Sequence, residues 1–236
     1  MGTNPLSPKE NFARAIRCPD EEINLGAAAL YAASSEFPDL DVIAYQGRIA
    51  QFGTKVKTLL PADYTNFEFV NSMHEVLFGK TGFTGDSKDY FDPRNSHLNE
   101  VIDRLKGNPV TLSIFYIEVA RVAGEKVRGI SLRKHFVVVV GTGEDRIYVD
   151  PFHGGGFLSR KECITNILGK DNVKHGDFDD LERKYLKPAS NRAILRRQLS
   201  NLKVAHEKHK QYELALSASE RIQLVDPANL RNLSEL

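Results

Sequence analysis

The stretch NPVTLSIFYIEVARVAG (residues 108–124) decides the fold. Asn108 is a residue type that caps helices, and Pro109 suits the first helical position because its missing N–H would have no partner there. Gly124 is a typical C-terminal stop. Apolar residues lie on almost every side of the intervening segment, which predicts a central helix that is covered on most of its surface.

Strand-like segments follow this central helix at residues 126–132, 135–140 and 146–149. The sequence GTGED between the last two is typical of a hairpin turn. A further short strand is predicted within residues 152–158. The central helix is predicted to lie against the strand that begins at His135.

Helical patterns flank this core on both sides. They predict a helical N-terminal region over residues 8–106, a core over residues 107–187 and a helical tail over residues 188–236. The tail is predicted to form a helical hairpin that ends at Pro227.

Polar residues at the predicted starts of the N-terminal helices indicate where those helices begin. Asp20 is the predicted cap of the first long helix and Asp39 that of the second, and a third helix is predicted over residues 66–78. Asn95 or Ser96 is predicted to cap the short helix that leads to Gly107.

Composition excludes several classes of protein. The chain of 236 residues has 41% hydrophobic residues, 27% charged residues and a net charge of +1, so no global basic field draws it to nucleic acid or anionic lipid. No apolar run is long enough to span a bilayer, and the first ten residues lack the apolar segment of a signal peptide. We therefore expect a cytoplasmic protein that binds neither membranes nor nucleic acid.

The two cysteines, Cys18 and Cys163, are too few and too far apart for a disulfide framework or a thiolate metal site. No cofactor motif is present, because the glycines at 154–156 do not open a helix. His153 is predicted not to bind a metal, because no partner ligands are expected near it. His206 and His209 are predicted to lie on a solvated helix face. The sequence thus predicts neither a metal nor a cofactor.

His135 and Asp150 form the strongest candidate site. If the hairpin pairs Gly141 with Glu144, the two side chains lie directly opposite each other on adjacent strands, with Cβ atoms about 4.5–5.5 Å apart. Such a pair supplies the base and the orienting carboxylate of a nucleophilic triad. A structural pair without a reaction fits the pattern equally well, and a one-residue slip would separate the two side chains.

A nucleophile is harder to find. A reactive thiol is favoured at a helix N-terminus, where the dipole lowers its pKa, but the central helix begins without a cysteine. Thr111 and Ser113 offer hydroxyls in its first turns, although such residues are more often ordinary parts of a helix. Asn95 and Asn99 are candidates for lining a cleft beside the His135–Asp150 pair. The simpler interpretation is that their hydrogen bonds hold the loop before the short helix that leads to Gly107.

Three motifs resemble those of the SirB-type transglutaminase-like proteins, which are also labelled regulators of sirC expression. These motifs are YFDPRNSHLNEVIDRLKGNPVTLSIFYIEVARVAG, HFVVVV and YVDPFHGGGFLS, at residues 90–124, 135–140 and 148–159. The segment from ILRRQLSNLK to Pro227 resembles the tetratricopeptide-like helices that follow this domain in the family. The resemblance covers most of the chain and implies an α+β fold, with a transglutaminase-like, papain-like core of one central helix packed on an antiparallel sheet.

The resemblance also implies roles for single residues. Active relatives carry Gly-x-Cys at the start of the helix, a His at the start of the next core strand and an Asp in a DP-type strand ending. His135 and Asp150 match the last two, whereas Pro109 stands where the thiol would be and joins the cleft-lining candidates.

We therefore expect a non-catalytic scaffold that binds a protein or peptide partner in a regulatory role. The alternative is a hydrolase or acyltransferase in which Thr111 or Ser113 acts with the His135–Asp150 pair.

Overall fold

The computed structural model describes residues 6–169 and 178–228, so residues 229–236 of the predicted tail lie outside it. Its long helices and strands follow the predicted order. The helices are Pro8–Ala15 (α1), Leu25–Ala33 (α2), Val42–Leu59 (α3), Asn66–His74 (α4), Leu98–Arg104 (α5), Pro109–Ala123 (α6), Arg160–Leu168 (α7), Phe178–Tyr185 (α8), Asn191–Lys208 (α9) and Tyr212–Val225 (α10). The strands are Thr84–Gly85 (β1), Lys106–Gly107 (β2), Arg128–Leu132 (β3), His135–Val140 (β4), Ile147–Asp150 (β5) and Gly156–Leu158 (β6).

The central helix is confirmed as α6. Asn108 caps it and Gly124 ends it in the left-handed conformation, with φ at 105°. All but two of its fifteen residues are buried, and it packs against β4 and α3. The chain therefore wraps around α6 as the apolar pattern predicts.

A four-stranded antiparallel sheet covers one side of α6, with the strand order β3-β4-β5-β6. Phe136, Val138 and Val140 of β4 join the main apolar core with α6, while Val137 and Val139 face a smaller apolar cluster beneath α7. Both faces of β4 are thus buried, which explains its nearly continuous apolar sequence. The arrangement confirms the predicted α+β fold.

The β4–β5 hairpin differs from the prediction in its register. Val140 pairs with Ile147, and a 3-10 turn at Gly143–Asp145 occupies the loop, so Gly141 does not pair with Glu144. Gly141 and Gly143 adopt positive φ values of 77° and 66°, which glycine tolerates without a steric penalty. The loop is longer than the predicted turn, and the strands shift by two residues relative to each other.

Several predicted helix caps are wrong in detail. Asn24 caps α2 and Asp41 caps α3, in place of Asp20 and Asp39. Residue 97 precedes α5 without a side-chain cap, because Asn95 and Ser96 belong to a 3-10 turn.

The predicted helix over residues 66–78 also changes character along its length. Its α-helical part, α4, ends at His74 and continues as a π-helical turn, Glu75–Lys80. The prediction of one uninterrupted helix over residues 66–78 was therefore wrong at its C-terminal end.

Asp20 caps a helix that lies far from it in sequence. Its two carboxylate oxygens accept hydrogen bonds from the backbone N–H groups of Asn191 and Arg192, each at 2.8 Å, at the start of α9. These two N–H groups have no partners within the helix. Asp20 therefore ties the N-terminal region to the C-terminal hairpin.

Replacing Asp20 with alanine should lower the free energy of unfolding by about 1–2 kcal/mol, because two charge-assisted bonds to helix N–H groups are lost. Urea denaturation of Asp20→Ala and of Glu21→Ala, from the same exposed turn, measures the effect. The Glu21 variant should stay within about 0.5 kcal/mol of the wild type. Equal changes in the two variants would contradict the capping role.

The C-terminal helices α9 and α10 pack against each other as the predicted hairpin. The main apolar core includes Phe12 of α1, Phe115 of α6 and Leu195 of α9. The predicted N-terminal region, core and tail therefore all contribute to one apolar core. The division at residues 106 and 187 and the likeness to a tetratricopeptide unit stay predictions. In the described residues, no helix is both long and apolar enough to cross a membrane.

Candidate functional site

His135 and Asp150 are hydrogen-bonded partners on adjacent antiparallel strands, as predicted. The Nε2 atom of His135 lies 2.7 Å from Oδ2 of Asp150. The prediction survives the register error because side chains alternate along a strand, so a shift of two residues keeps both on the same face. The pair is diagonal instead of directly opposed.

Asp150 is held by four donors. Oδ2 accepts a second imidazole bond, from Nδ1 of His153 at 2.7 Å, and Oδ1 accepts from the backbone N–H groups of Phe152 and His153. Burial alone would raise the pKa of Asp150, but the bonds and charges of His135 and His153 outweigh it and lower the pKa below its ordinary value. The carboxylate is therefore ionised and fixed in position.

The lowered pKa of Asp150 predicts a pH dependence of stability. The stability that its bonds provide is fully present above the ordinary carboxyl pKa of about 3.9 and is lost as the pH falls through the lower folded value. The difference in free energy of unfolding between wild type and Asp150→Asn should thus shrink as the pH falls below ~4. Urea denaturation over this range measures it, and a difference that grew with acidification would contradict the assignment.

His153 was predicted to have no partner ligands nearby, and that prediction is wrong. Its ring, His135 and Asp150 place three potential metal-ligand atoms within 4.8 Å of one another. The two carboxylate–imidazole distances of 2.7 Å are ordinary hydrogen bonds. The group therefore needs no ion to satisfy its polar atoms.

Neither candidate hydroxyl bonds to His135. The hydroxyl of Thr111 is fully buried and donates to Oδ1 of Asn108 at 3.2 Å, which closes the helix cap. Ser113 is also fully buried, and its hydroxyl has no hydrogen-bond partner among the described residues. Both side chains lie in the packed interior at the start of α6.

Neither cysteine belongs to α6, the helix whose start carries the thiol in active relatives. Both are free, and Cys163 is completely buried in the smaller apolar cluster. Burial, together with the nearby charges of Glu162, Asp150 and Glu182, raises its pKa to about 12. Cys163 is therefore a protonated thiol at neutral pH and a poor nucleophile.

Asn95, one of the cleft-lining candidates, holds the start of α6. Asn95 is buried and donates to the backbone oxygen of Asp89 at 2.7 Å, while its own backbone oxygen accepts from the N–H of Asn108 at 3.1 Å. Asn99 and Pro109 are buried in the same region. A role for any of the three in binding stays a prediction.

Phe152 is a residue of this region that sequence reasoning missed. Its ring covers Gly85 of β1 so closely that a Cβ there would lie 2.4 Å from the ring. The same ring meets that of His135 edge-on, with centroids 6.0 Å apart. Because Gly85 pairs with Gly107, Phe152 packs between His135 and the segment that leads into α6.

A second group of titratable residues also escaped prediction. His206 was predicted to be solvated, but it is 1% exposed and lies with His97 around the carboxylate of Glu36. No sequence signal pointed to this group, because up to 170 residues separate its members.

Comparisons with known proteins give one consistent result. The family model for the transglutaminase-like superfamily matches residues 43–200. A UPF0162 protein of Xylella fastidiosa (strain 9a5c) is 32% identical over 203 residues, which covers 86% of this chain and 72% of that protein. A UPF0162 protein of Vibrio cholerae is 30% identical over 146 residues, or 61% of this chain and 52% of that protein.

A more distant likeness is limited to part of the chain. Human F-box only protein 21 is 29% identical over 104 residues, which covers 41% of this chain and 17% of that protein. No solved structure matches the chain significantly.

Proposed function

The chain belongs to the transglutaminase-like superfamily, and we propose that it is a non-catalytic member that binds a protein or peptide partner. One observation carries the proposal. Pro109 is the first residue of α6, at the place where the resemblance to active relatives puts the nucleophilic thiol. Proline has neither an acidic proton nor a side-chain lone pair, so this position supplies no nucleophile.

The surroundings of His135 support the same conclusion. A hydroxyl nucleophile must lie within hydrogen-bond reach of its base. The Thr111 hydroxyl is bonded to Asn108, and Ser113 is enclosed in the core. These placements weigh against the alternative of a hydrolase or acyltransferase that uses either hydroxyl with His135.

An aromatic surface beside the helix start supports binding. Tyr90 and Phe91 are 38% and 40% exposed, and the ring of Tyr90 meets that of Phe152 with centroids 6.1 Å apart. The two residues also line a recess of about 70 Å³ whose wall includes Asn108. Exposed aromatic side chains beside a small recess are typical of protein-binding surfaces.

The proposed partner surface is therefore the loop Tyr90–Phe91 together with the recess that the two residues line beside Asn108. A peptide side chain inserted into the recess would meet the amide of Asn108 and the ring of Tyr90. The regulatory role implied by the resemblance to SirB-type proteins belongs to this proposal, with the scaffold acting through what it binds.

Selection of a phage-displayed random peptide library on the immobilised chain tests the proposal. We expect enriched peptides whose affinity falls at least tenfold in Tyr90→Ala and Phe91→Ala. The matched control is Phe67→Ala, which removes another exposed ring beyond the opposite end of β4, where Asn66 bonds to Asp145. No enrichment, or peptides equally sensitive to all three substitutions, would count against this surface.

A further inference from the structure

Three side chains from distant parts of the sequence meet in one place. Glu36 lies between α2 and α3, His97 immediately precedes α5, and His206 is in the last turn of α9. His97 and His206 are 2% and 1% exposed. One potential ligand atom from each residue lies within 4.8 Å of the other two.

The separations match those of ligands around one metal ion. Glu36 Oε1 lies 3.1 Å from His206 Nε2, and Glu36 Oε2 lies 3.2 Å from His97 Nε2. Two ligands placed about 2.1 Å from a tetrahedral zinc ion are about 3.4 Å apart. The Glu36–His206 contact is a hydrogen bond and the Glu36–His97 contact is an ion pair, and both place the carboxylate near ligand spacing from the two imidazoles.

His97 provides an independent sign of a missing partner. Its buried Nε2 atom has no hydrogen-bond partner among the described residues, although a Glu36 oxygen lies near it. The oxygen therefore lies off the axis along which an N–H would donate. An oxygen beside an imidazole nitrogen but off its axis is where a second ligand of a shared ion would lie, and a buried unpaired nitrogen otherwise costs stability.

Gln211 orients the ring of His206 so that its Nε2 atom is directed toward Glu36. The Nδ1 atom of His206 lies 2.8 Å from Oε1 of Gln211, and an amide oxygen can only accept. Nδ1 therefore carries one proton. Nε2, which is hydrogen-bonded to Glu36, is the nitrogen that would bind a metal after losing its own proton. Metal-binding histidines commonly donate their other ring N–H to such an oxygen.

The group opens onto a cavity of about 340 Å³, whose lining includes Asp89, Asp92 and His209. The cavity supplies an entry path and room for a water molecule as a further ligand. The positive charges of two nearby side chains disfavour a bound cation here. Arg94 is paired with Asp92 at 2.7 Å, and the charge of Arg221 acts on Glu36.

We propose that Glu36, His97 and His206 bind one Zn²⁺ ion, with water in the remaining position. Two imidazoles and one carboxylate are ligands that zinc prefers. The ion would link three segments that are far apart in the sequence: the α2–α3 connection, the start of α5 and the last turn of α9. The proposal is independent of the peptide-binding surface at Tyr90 and Phe91.

Titration of the chelator-treated full chain with Zn²⁺ alone, followed by calorimetry, tests the proposal. We expect one ion per chain. His97→Gln, His206→Gln and Glu36→Gln should each weaken binding by at least a hundredfold. Gln211→Ala should weaken it by about tenfold, because it removes only the group that orients His206.

Two matched controls locate the ion. His209→Gln alters the same cavity without removing a proposed ligand, and His153→Gln alters the His135–Asp150–His153 group. Both variants should bind Zn²⁺ like the wild type. Loss of binding in His153→Gln with retention in His206→Gln would overturn the proposal, as would the absence of stoichiometric binding.

A measurement on the wild-type chain covers variants that fail to fold. Zn²⁺ should shift the assigned imidazole NMR signals of His97 and His206 and leave those of His135 and His153 in place. The opposite pattern, or no shift in any of the four, would refute the site.

Discussion

Gly53→Ala should lower the free energy of unfolding by about 2–3 kcal/mol, which is the range for overpacking a core. Gly53 lies in α3 where that helix crosses α6. An added Cβ would lie 2.4 Å from Cβ of Val122 and 2.9 Å from the backbone oxygen of Val119. Rotation of the Val122 side chain moves neither its own Cβ nor the backbone oxygen of Val119, so α3 and α6 must separate.

Gly47→Ala is the matched control, because Gly47 lies in the same helix and a Cβ there would have nothing within 4 Å. This substitution should raise the free energy of unfolding by up to about 1 kcal/mol, since alanine favours a helix over glycine. Urea denaturation of both variants makes the comparison. Similar shifts in both would show that the close approach of α3 to α6 does not limit this position.

Asn108→Ala should lower the free energy of unfolding by about 3 kcal/mol, because the buried side chain both caps α6 and bonds to Ser96. Its Oδ1 accepts from the backbone N–H groups of Val110 and Thr111, each at 3.0 Å, and from the Thr111 hydroxyl. Its Nδ2 donates to the hydroxyl of Ser96 at 2.8 Å. The substitution therefore uncaps α6 and leaves buried polar groups unpaired.

Ser190→Ala provides the control for capping alone. Ser190 caps α9 at the surface through one bond to the N–H of Ala193, at 3.2 Å. Water can replace that bond, so the cost should be about 1 kcal/mol or less. Chemical denaturation of the two variants distinguishes them, and an equal loss would contradict the special position of Asn108.

The central helix was predictable because its signals are local. The Asn-Pro start and the Gly124 end lie within the segment itself, and its apolar residues surround it. The predicted caps of α2 and α3 were wrong because several acidic or amide residues lie near the start of each helix. Local chemistry alone does not decide which of them adopts the capping geometry.

The His135–Asp150 pair was predicted for a reason that is only partly correct. The assumed turn was too short, yet the error of two residues preserved the face on which both side chains lie. An error of one residue would have separated them. The prediction therefore held only because the register error was an even number of residues. The sequence indicates where a hairpin lies more reliably than it indicates the register of the two strands.

Contacts between distant segments could not be predicted from the chain. Asp20 caps α9 across 171 residues, and Glu36 meets His206 across 170. No spacing rule connects residues at such separations, because the packing of several helices brings them together. The same reason explains why His206 was wrongly expected on a solvated face.

The assay of acyl transfer tests the central claim most directly. The wild-type chain would be incubated with a labelled amine and glutamine-containing peptides, and separately with peptides alone, with and without an alkylating agent. We predict neither amine incorporation nor peptide hydrolysis in either condition, because Pro109 supplies no nucleophile and Cys163 is buried and protonated. Turnover by the wild-type chain that alkylation or Cys163→Ser abolishes, or that Ser113→Ala or Thr111→Val removes, would contradict the non-catalytic account.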